Sequence, residues 1–382
     1  MGAARFLPLS LLPHSLRMRH DTGSAEMPPP PQLQTLYRTV FDAPLAHLLW
    51  APRGAALAVG TTAGTVASLN TRLGHVTASY SLPNLRSLDW HPELPAIATG
   101  THDGQVQIWA SDRVAPARQI PSAHAHPIDL LQWSRDRPAN NAQLAVAAGP
   151  QLRLRNIGYG IEHDWELPDS PVRDLQWHPI FRMLCILAPD GVDLWMPEHP
   201  EGTRQIPVPG AGNCLRWAPN GAALAITHAR DGVILVQTMT AQCHNLARAN
   251  QAIAHLTWHG QSRLLAGAGE NSLLLWNLET TNATPDVPKI LTSAHSATIR
   301  ALAFEPAGPL LASGGDDAQL LLWAPEHNDT PILSMPMSAP ITQLVWSACG
   351  RQLAVGLRDG AVELLEVRPA ATAEAASSRR FY

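Results

Sequence analysis

Histidine is the residue type that most invites a chemical reading of this sequence. There are 17, and several fall into patterns: His124 and His126 form H-x-H, while His91, His178 and His259 each follow a tryptophan. A structural zinc site needs four such ligands within about 2.0–2.3 Å of one ion. The three Trp-His pairs recur far apart, one per copy of a longer pattern, so a repeat fold holds them apart and they read as structural or solvent-facing. Cys185, Cys214, Cys243 and Cys349 show no C-x-x-C spacing. They read as reduced thiols, which suits a cytoplasmic protein. G-x-S-x-G, H-E-x-x-H, a phosphate loop ending in G-K-[ST] and a strand-to-helix G-x-G-x-x-G are all missing. The Asp-Gly pairs at 103–104, 190–191, 231–232 and 359–360 suit tight turns better than paired catalytic carboxylates. No enzyme activity, cofactor or metal is expected from these residues.

The elements that carry them belong to a chain of 382 residues with 45% hydrophobic residues, enough for a sizeable core. A net charge of −4 and a pI near 6.5 argue against a nucleic-acid binder. Lys289 is the only lysine among 27 basic residues, a skew that reflects coding bias more than selection for phosphate binding. No run of 18 apolar residues marks a membrane span. The opening MGAARFLPLSLLPHSLRMRH is interrupted by Pro8 and Pro13, and Phe6 stands where a myristoylation signal requires Ser or Thr. Met18 and Met27 are alternative starts, because the proline run 28–31 precedes the first strand-like segment. Aromatic usage is lopsided, with 12 tryptophans against 4 tyrosines and 5 phenylalanines. That skew calls for a structural cause.

A repeat supplies the frame. The aromatics Trp50, Trp90, Trp133, Trp177, Trp217, Trp258, Phe304 and Trp346 are separated by 40, 43, 44, 40, 41, 46 and 42 residues. Each is preceded at two positions by leucine, from Leu48 to Leu344, so Leu and aromatic share one face of a strand. Proline ends that strand two residues later in five copies. Seven residues past the aromatic a second apolar strand begins (Leu57, Ile97, Leu184 and their equivalents). In the third copy the insertion SRDRPANNAQ delays it to Leu144. A small residue follows (Ala58, Ala98, Cys185, Ala225, Ala266, Ala312, Ala354), which lets neighbouring sheets approach. Then come a turn, a third strand and a more polar fourth strand. One such four-stranded unit cannot bury both faces, but a ring of them can.

The pattern resembles the WD40-repeat family over roughly residues 33–367. The strongest copy is SAHSATIRALAFEPAGPLLASGGDDAQLLLW, in which His295, Ser313, Asp317 and Trp323 occupy the positions of the family's structural tetrad. The second copy keeps Thr99, Asp103 and Trp109 without the histidine. The third keeps His124 but puts Arg155 near the Trp position, and the sixth has Trp276 with Glu270 for the aspartate. The Trp-Asp dipeptide itself is absent, replaced by Trp-Ala, Trp-Met or Trp-Asn. The resemblance implies an all-β, closed propeller of four-stranded antiparallel blades, eight by the repeat count, with seven as the alternative. Residues 1–31 and 369–382 are expected to be disordered tails around a propeller at 32–368. LQTLYRTV (33–40) is expected to complete the last blade, because only a polar tail follows AVELLEV.

Four positions before each aromatic stands the series Ala46, Arg86, Asp129, Arg173, Asn213, Ala254, Arg300, Thr342. It has the parity of the buried Leu and Trp, yet it is mostly polar, which places it at the strand mouth near one opening of the ring. Arg86, Asp129, Arg173 and Arg300 are therefore candidates for protein binding. The expected function is a monomeric, non-catalytic scaffold for one or more proteins, not for nucleic acid or membrane. The alternative is an enzyme or metal-handling propeller using His and carboxylate groups at the channel.

Overall fold

A computed structural model describes residues 30–54, 56–112, 118–120, 126–135, 142–156, 162–166, 171–197, 203–208, 212–228, 232–246, 252–278, 288–291 and 295–368. The tails 1–29 and 369–382, His124 and most of the third-copy insertion lie outside the described residues. The eight copies form eight four-stranded antiparallel sheets. Blades 1 to 7 occupy 45–81, 85–120, 128–166, 174–207, 212–246, 255–291 and 299–336. In each, the strands pair in chain order from an inner first strand to an outer fourth.

Blade 8 takes its first three strands from 341–368 and its fourth from the N-terminal strand Gln32–Val40. That strand runs antiparallel to Ala361–Arg368, with Gln32 opposite Arg368 and Val40 opposite Ala361. Tyr37 also reaches blade 1. Its hydroxyl donates to Asn70 O at 3.3 Å, and a Cβ on Gly74 would come within 2.8 Å of its ring. The inner strands of blades 8 and 1 touch, so the ring closes and no inner sheet edge is left open.

The core is divided among the blade junctions. Among the described residues there are eight apolar clusters, and each joins one blade to the next. The Leu–aromatic face of every inner strand packs against the preceding blade. The small residue of the second strand faces the following one, as Ala58 faces Trp90. Six indole N–H groups are used in this packing. Trp50, Trp90, Trp177, Trp217, Trp258 and Trp346 donate from Nε1 to a carbonyl of the preceding blade, at 2.8 to 3.4 Å. Tryptophan alone supplies a large apolar body together with a single donor. This is why it outnumbers the other aromatics.

A second set of junction bonds uses the residue just before the aromatic. Asp89, Gln132, Gln176 and Thr257 each accept the backbone N–H of the next blade's aromatic residue, at 2.7 to 3.3 Å. Burial raises the Asp89 carboxyl to about 6, although the N–H groups of Trp133 and Trp90 oppose the shift.

The polar series four residues before the aromatic sits at a β-bulge. Register shifts interrupt the inner strands at Leu45/His47, Leu85/Ser87, Ile128/Leu130, Gly212/Cys214, Ile299/Ala301 and Ile341/Gln343. The extra residue, Arg86 for example, turns outward, and the preceding residue takes the buried place. Those preceding side chains plug the neighbouring blade. A Cβ on Gly60, Gly100, Gly314 or Gly356 would come within 2.5–3.0 Å of Leu85, Ile128, Ile341 or Leu45 respectively. Between blades 4 and 5 the sizes are exchanged: Leu187 fills the space that Gly212 leaves.

Candidate functional site

The strand order gives the ring two rims. The first rim carries the start of each inner strand and the turn between second and third strands. The second rim carries the other two hairpin turns of each blade. Side chains able to do chemistry occur on both rims and, in blade 7, inside the sheet.

In blade 7 the four tetrad residues form one chain of bonds. Trp323 Nε1 donates to Ser313 Oγ at 2.9 Å, and the Ser313 hydroxyl donates to His295 Nε2 at 2.8 Å. His295 Nδ1 donates to Asp317 at 3.0 Å, and Asp317 also accepts from the backbone of Ser296 and Gln319. Trp323, Ser313 and His295 are buried. One proton direction satisfies every member, and it requires a neutral imidazole. Burial lowers the His295 pKa, and this outweighs the upward pull of Asp317.

The other blades keep fragments. In blade 2, Trp109 donates to Thr99 Oγ1 at 2.9 Å, but Asp103 is exposed and accepts from Asn84 at 3.2 Å. In blade 6, glycine occupies the Ser/Thr position, and the Trp276 ring crowds Gly267, where a Cβ would lie 2.9 Å away. Trp276 Nε1 is buried with no acceptor among the described residues, and Glu270 is exposed. Arg155 is buried in blade 3 opposite Leu144, the register that Trp323 holds opposite Leu311. The tetrad thus reinforces a blade.

His91, His178 and His259 perform a different structural task. Each imidazole Nδ1 accepts backbone N–H groups two or three residues onward: Glu93 and Leu94, Ile180 and Phe181, or Gln261. Their rings pack edge-on against Trp133, Trp217 and Phe304 of the next blade. Burial lowers all three pKa values, which keeps Nδ1 free to accept. Among the described residues, no three His, Cys, Asp or Glu side chains are grouped to hold a metal ion.

At the first rim, two of the four candidate binding residues meet. Arg86 Nε and Nη2 donate to Asp129 Oδ1 at 2.9 and 2.6 Å across blades 2 and 3, with both side chains half-exposed. Arg300 instead grips Asp316 at 2.8 and 3.0 Å, where Arg358 also pairs. Arg173 donates to Gly212 O of the next blade at 3.1 Å. The four do not converge on one spot: the Arg86–Asp129 pair and Arg173 tie neighbouring blades, while Arg300 pairs within blade 7.

The sequence reading missed an apolar surface on the second rim. Ile180 is 62% exposed, Phe181 67%, Met196 40% and Met239 84%. The last three line one cavity of about 420 Å³ with Met183, Leu194 and Arg204. The signal was present in the turn after His178. Its relatives continue as Glu93-Leu94 and Gln261-Ser262, whereas this one continues as Ile180-Phe181.

Comparison with known proteins agrees with the ring and its repeat. Residues 68–110 and 288–324 match the family described as WD domain, G-beta repeat. The first match begins in the third strand of blade 1 and the second beside the outer strand of blade 6, and each ends at the third strand of the next blade, so the sequence repeat is offset from the blade. The chain is an eight-bladed β-propeller that carries WD40-type repeats. Among its relatives is the B-type cell cycle switch protein ccs52B of Medicago truncatula, 23% identical over 86% of this chain and 68% of that protein. Another is Cell division cycle 20.1, cofactor of APC complex, from Arabidopsis thaliana, 23% identical over 62% of this chain and 53% of that protein. A striatin homolog of Dictyostelium discoideum is 20% identical over 74% of this chain, which spans only 34% of that protein. The fold is shared with the Dos1 propeller, with a TM-score of 0.70 at 17% identity, covering 87% of this chain and 95% of that one. The computationally designed protein Ika8 gives 0.67 at 16% identity, covering 86% and 97%.

Proposed function

We propose that this propeller is a non-catalytic scaffold that binds one or more proteins through its rims. The observation that carries this reading is a division of labour. Histidines and carboxylates in the repeat register are engaged in holding turns, blades and junctions, while exposed side chains stand on turns whose backbones other residues fix. Such a frame presents groups without having to move. The names of two relatives, a cofactor of the APC complex and a cell cycle switch protein, support a role in assembly. The same proposal takes the protein to be a cytoplasmic monomer; none of its four cysteines is paired. At the first rim, Arg86, Arg173 and Arg300 with Asp129 form a contact zone for an acidic partner.

Affinity purification of the full chain from its own organism's extract, read by mass spectrometry, tests the proposal. Recovery of defined proteins that is lost when residues 32–40 are deleted supports it. Equal recovery with the ring-opened variant, or no recovery by the intact ring, contradicts it. Charge reversal at Arg86, Arg173 and Arg300 together should leave the β circular dichroism intact, because exposed ion pairs contribute only about 0–1 kcal/mol each. Unchanged partner recovery with that variant would remove the first rim from the proposal and leave the scaffold standing.

A further inference from the structure

Four of the ten strongly exposed large apolar residues among those described belong to blades 4 and 5 at the second rim: Ile180, Phe181, Met196 and Met239. Scattered exposed hydrophobics need no explanation, but a contiguous group does. The fold does not call for these residue types. The turn after His178 is closed by the imidazole accepting from the backbone of residues 180 and 181. The turn after His91 is closed in the same way with Glu93 and Leu94, and that after His259 with Gln261.

The surface is also held in shape. Phe181 stacks on His178 with ring centroids 5.0 Å apart, and His178 Nε2 donates to Gly221 O of blade 5 at 3.1 Å. Arg204 reaches from the outer strand of blade 4 and donates to Thr238 O and Met239 O at 3.1 and 3.3 Å. This fixes the turn that carries Met239. Both ties cross from blade 4 to blade 5, so the cavity floor and its two walls form one unit.

We propose that this cleft docks a peptide segment of another protein, one that offers a large apolar side chain beside Asp or Glu. The proposal rests on the scaffold reading and names one of its surfaces. Met183, Met196 and Met239 line the cavity with thioether side chains that adapt to aliphatic or aromatic anchors. Among the described residues that line it, the one charged side chain, Arg204, is cationic, which complements an acidic flank. Residues 198–202 lie outside the described residues and are not part of the proposed surface.

The test pans a phage-displayed library of random 12-residue peptides on the full-length protein. Enriched sequences are then measured as synthetic peptides by fluorescence anisotropy against wild type, Phe181→Ser and Met239→Ser. Neither variant removes a frame contact between repeats, and circular dichroism verifies that each is folded. The expected result is enrichment of apolar anchors next to Asp or Glu, with at least tenfold weaker binding to both variants. Basic or featureless sequences, equal binding to variants and wild type, or no enrichment would each overturn the proposal. So would a concentration-dependent dimer that Phe181→Ser abolishes, because the occupant would then be a second copy. In the affinity purification above, full partner recovery with the Phe181→Ser variant refutes this cleft while leaving the scaffold intact. Failure of the wild type to recover partners refutes the scaffold itself.

Discussion

Blades 6 and 7 are neighbours built on the same strand plan, and they treat the same tryptophan differently. In blade 7, Trp323 ends a four-residue chain of hydrogen bonds. In blade 6, Trp276 leans into the space of Gly267 with its N–H unanswered among the described residues. Yet the inner strands of both blades enter equivalent junctions. Trp258 donates to Arg216 O, Phe304 N–H meets Thr257 Oγ1, and apolar clusters continue on either side. The tetrad is therefore a local reinforcement, and the ring is held at its inner junctions and its closure.

If so, the largest loss comes from closure, not from any tetrad. Deleting 32–40 removes the outer strand of blade 8 and its clamp on Gly74, leaving a hydrophobic strand edge. We expect loss of the cooperative thermal transition, or association visible by light scattering, whereas trimming residues 1–29 leaves the melting temperature unchanged.

Within the tetrad, Asp317→Ala leaves His295 Nδ1 and the N–H groups of Ser296 and Gln319 without their acceptor. Of these only the imidazole is buried, and leaving it unpaired costs about 1–3 kcal/mol. Asp359→Ala removes an exposed pair with Arg38 and a cap on Ala361 N–H, costing under about 1 kcal/mol. Equal denaturant midpoints for the two would show that the bonds in blade 7 contribute nothing.

The same replacement in the two blades sharpens the contrast. Trp323→Phe and Trp276→Phe lose similar volume, but only the first breaks a hydrogen bond. The blade 7 variant should be the less stable by about 1 kcal/mol in urea titrations. A larger loss from Trp276→Phe would reverse the comparison.

Acid provides a graded version. Burial holds His295, His91, His178 and His259 below their ordinary value of 6.5. As pH falls below that value, the unfolded chain takes up protons that the folded chain resists, so stability present above pH 6.5 is lost on acidification. Asp89 acts in the opposite sense. Its carboxyl is raised from 3.8 to about 6, so the folded chain retains a proton that the unfolded chain has released, and this contribution fades as pH rises through that window. Urea midpoints measured from pH 7.5 to 5.5 should fall, and less steeply in a His178→Gln variant than in wild type.

The smallest effect concerns one turn. Ala318 holds φ +55°, where blades 2 and 8 use Gly104 at +77° and Gly360 at +85°. Relief of that strain by Ala318→Gly should raise stability by up to about 1 kcal/mol, read as a small upward shift in melting temperature.

The ring was legible because period-2 burial and turn chemistry act locally: Leu and Trp two apart, a small residue on the next strand, Asp-Gly at the hairpin. Closure by 33–40 was legible from an unpaired apolar strand at one end and a missing strand at the other. The bulge was hidden by counting parity from the tryptophan, although apolar Leu45, Leu85, Ile128, Ile253, Ile299 and Ile341 beside the polar series carried its signature. Partners such as Arg86 with Asp129, 43 residues apart, depend on how blades abut, which no local pattern encodes. The apolar cleft was overlooked because Ile180 and Phe181 fall between the strand ending at Trp177 and the one beginning at Leu184, and a repeat-based reading gives the residues of that turn no role.

Both the fold and the scaffold role require that inner junctions, not the tetrad, keep neighbouring blades equally rigid. Hydrogen exchange of native protein, followed by mass spectrometry, reads this directly in the inner strands His255–Trp258 and Ile299–Phe304. Comparable protection in the two strands, with the difference confined to the third strands Ser272–Asn277 and Gln319–Trp323, is the predicted result. An inner strand of blade 6 exchanging tens of times faster than that of blade 7 would contradict it.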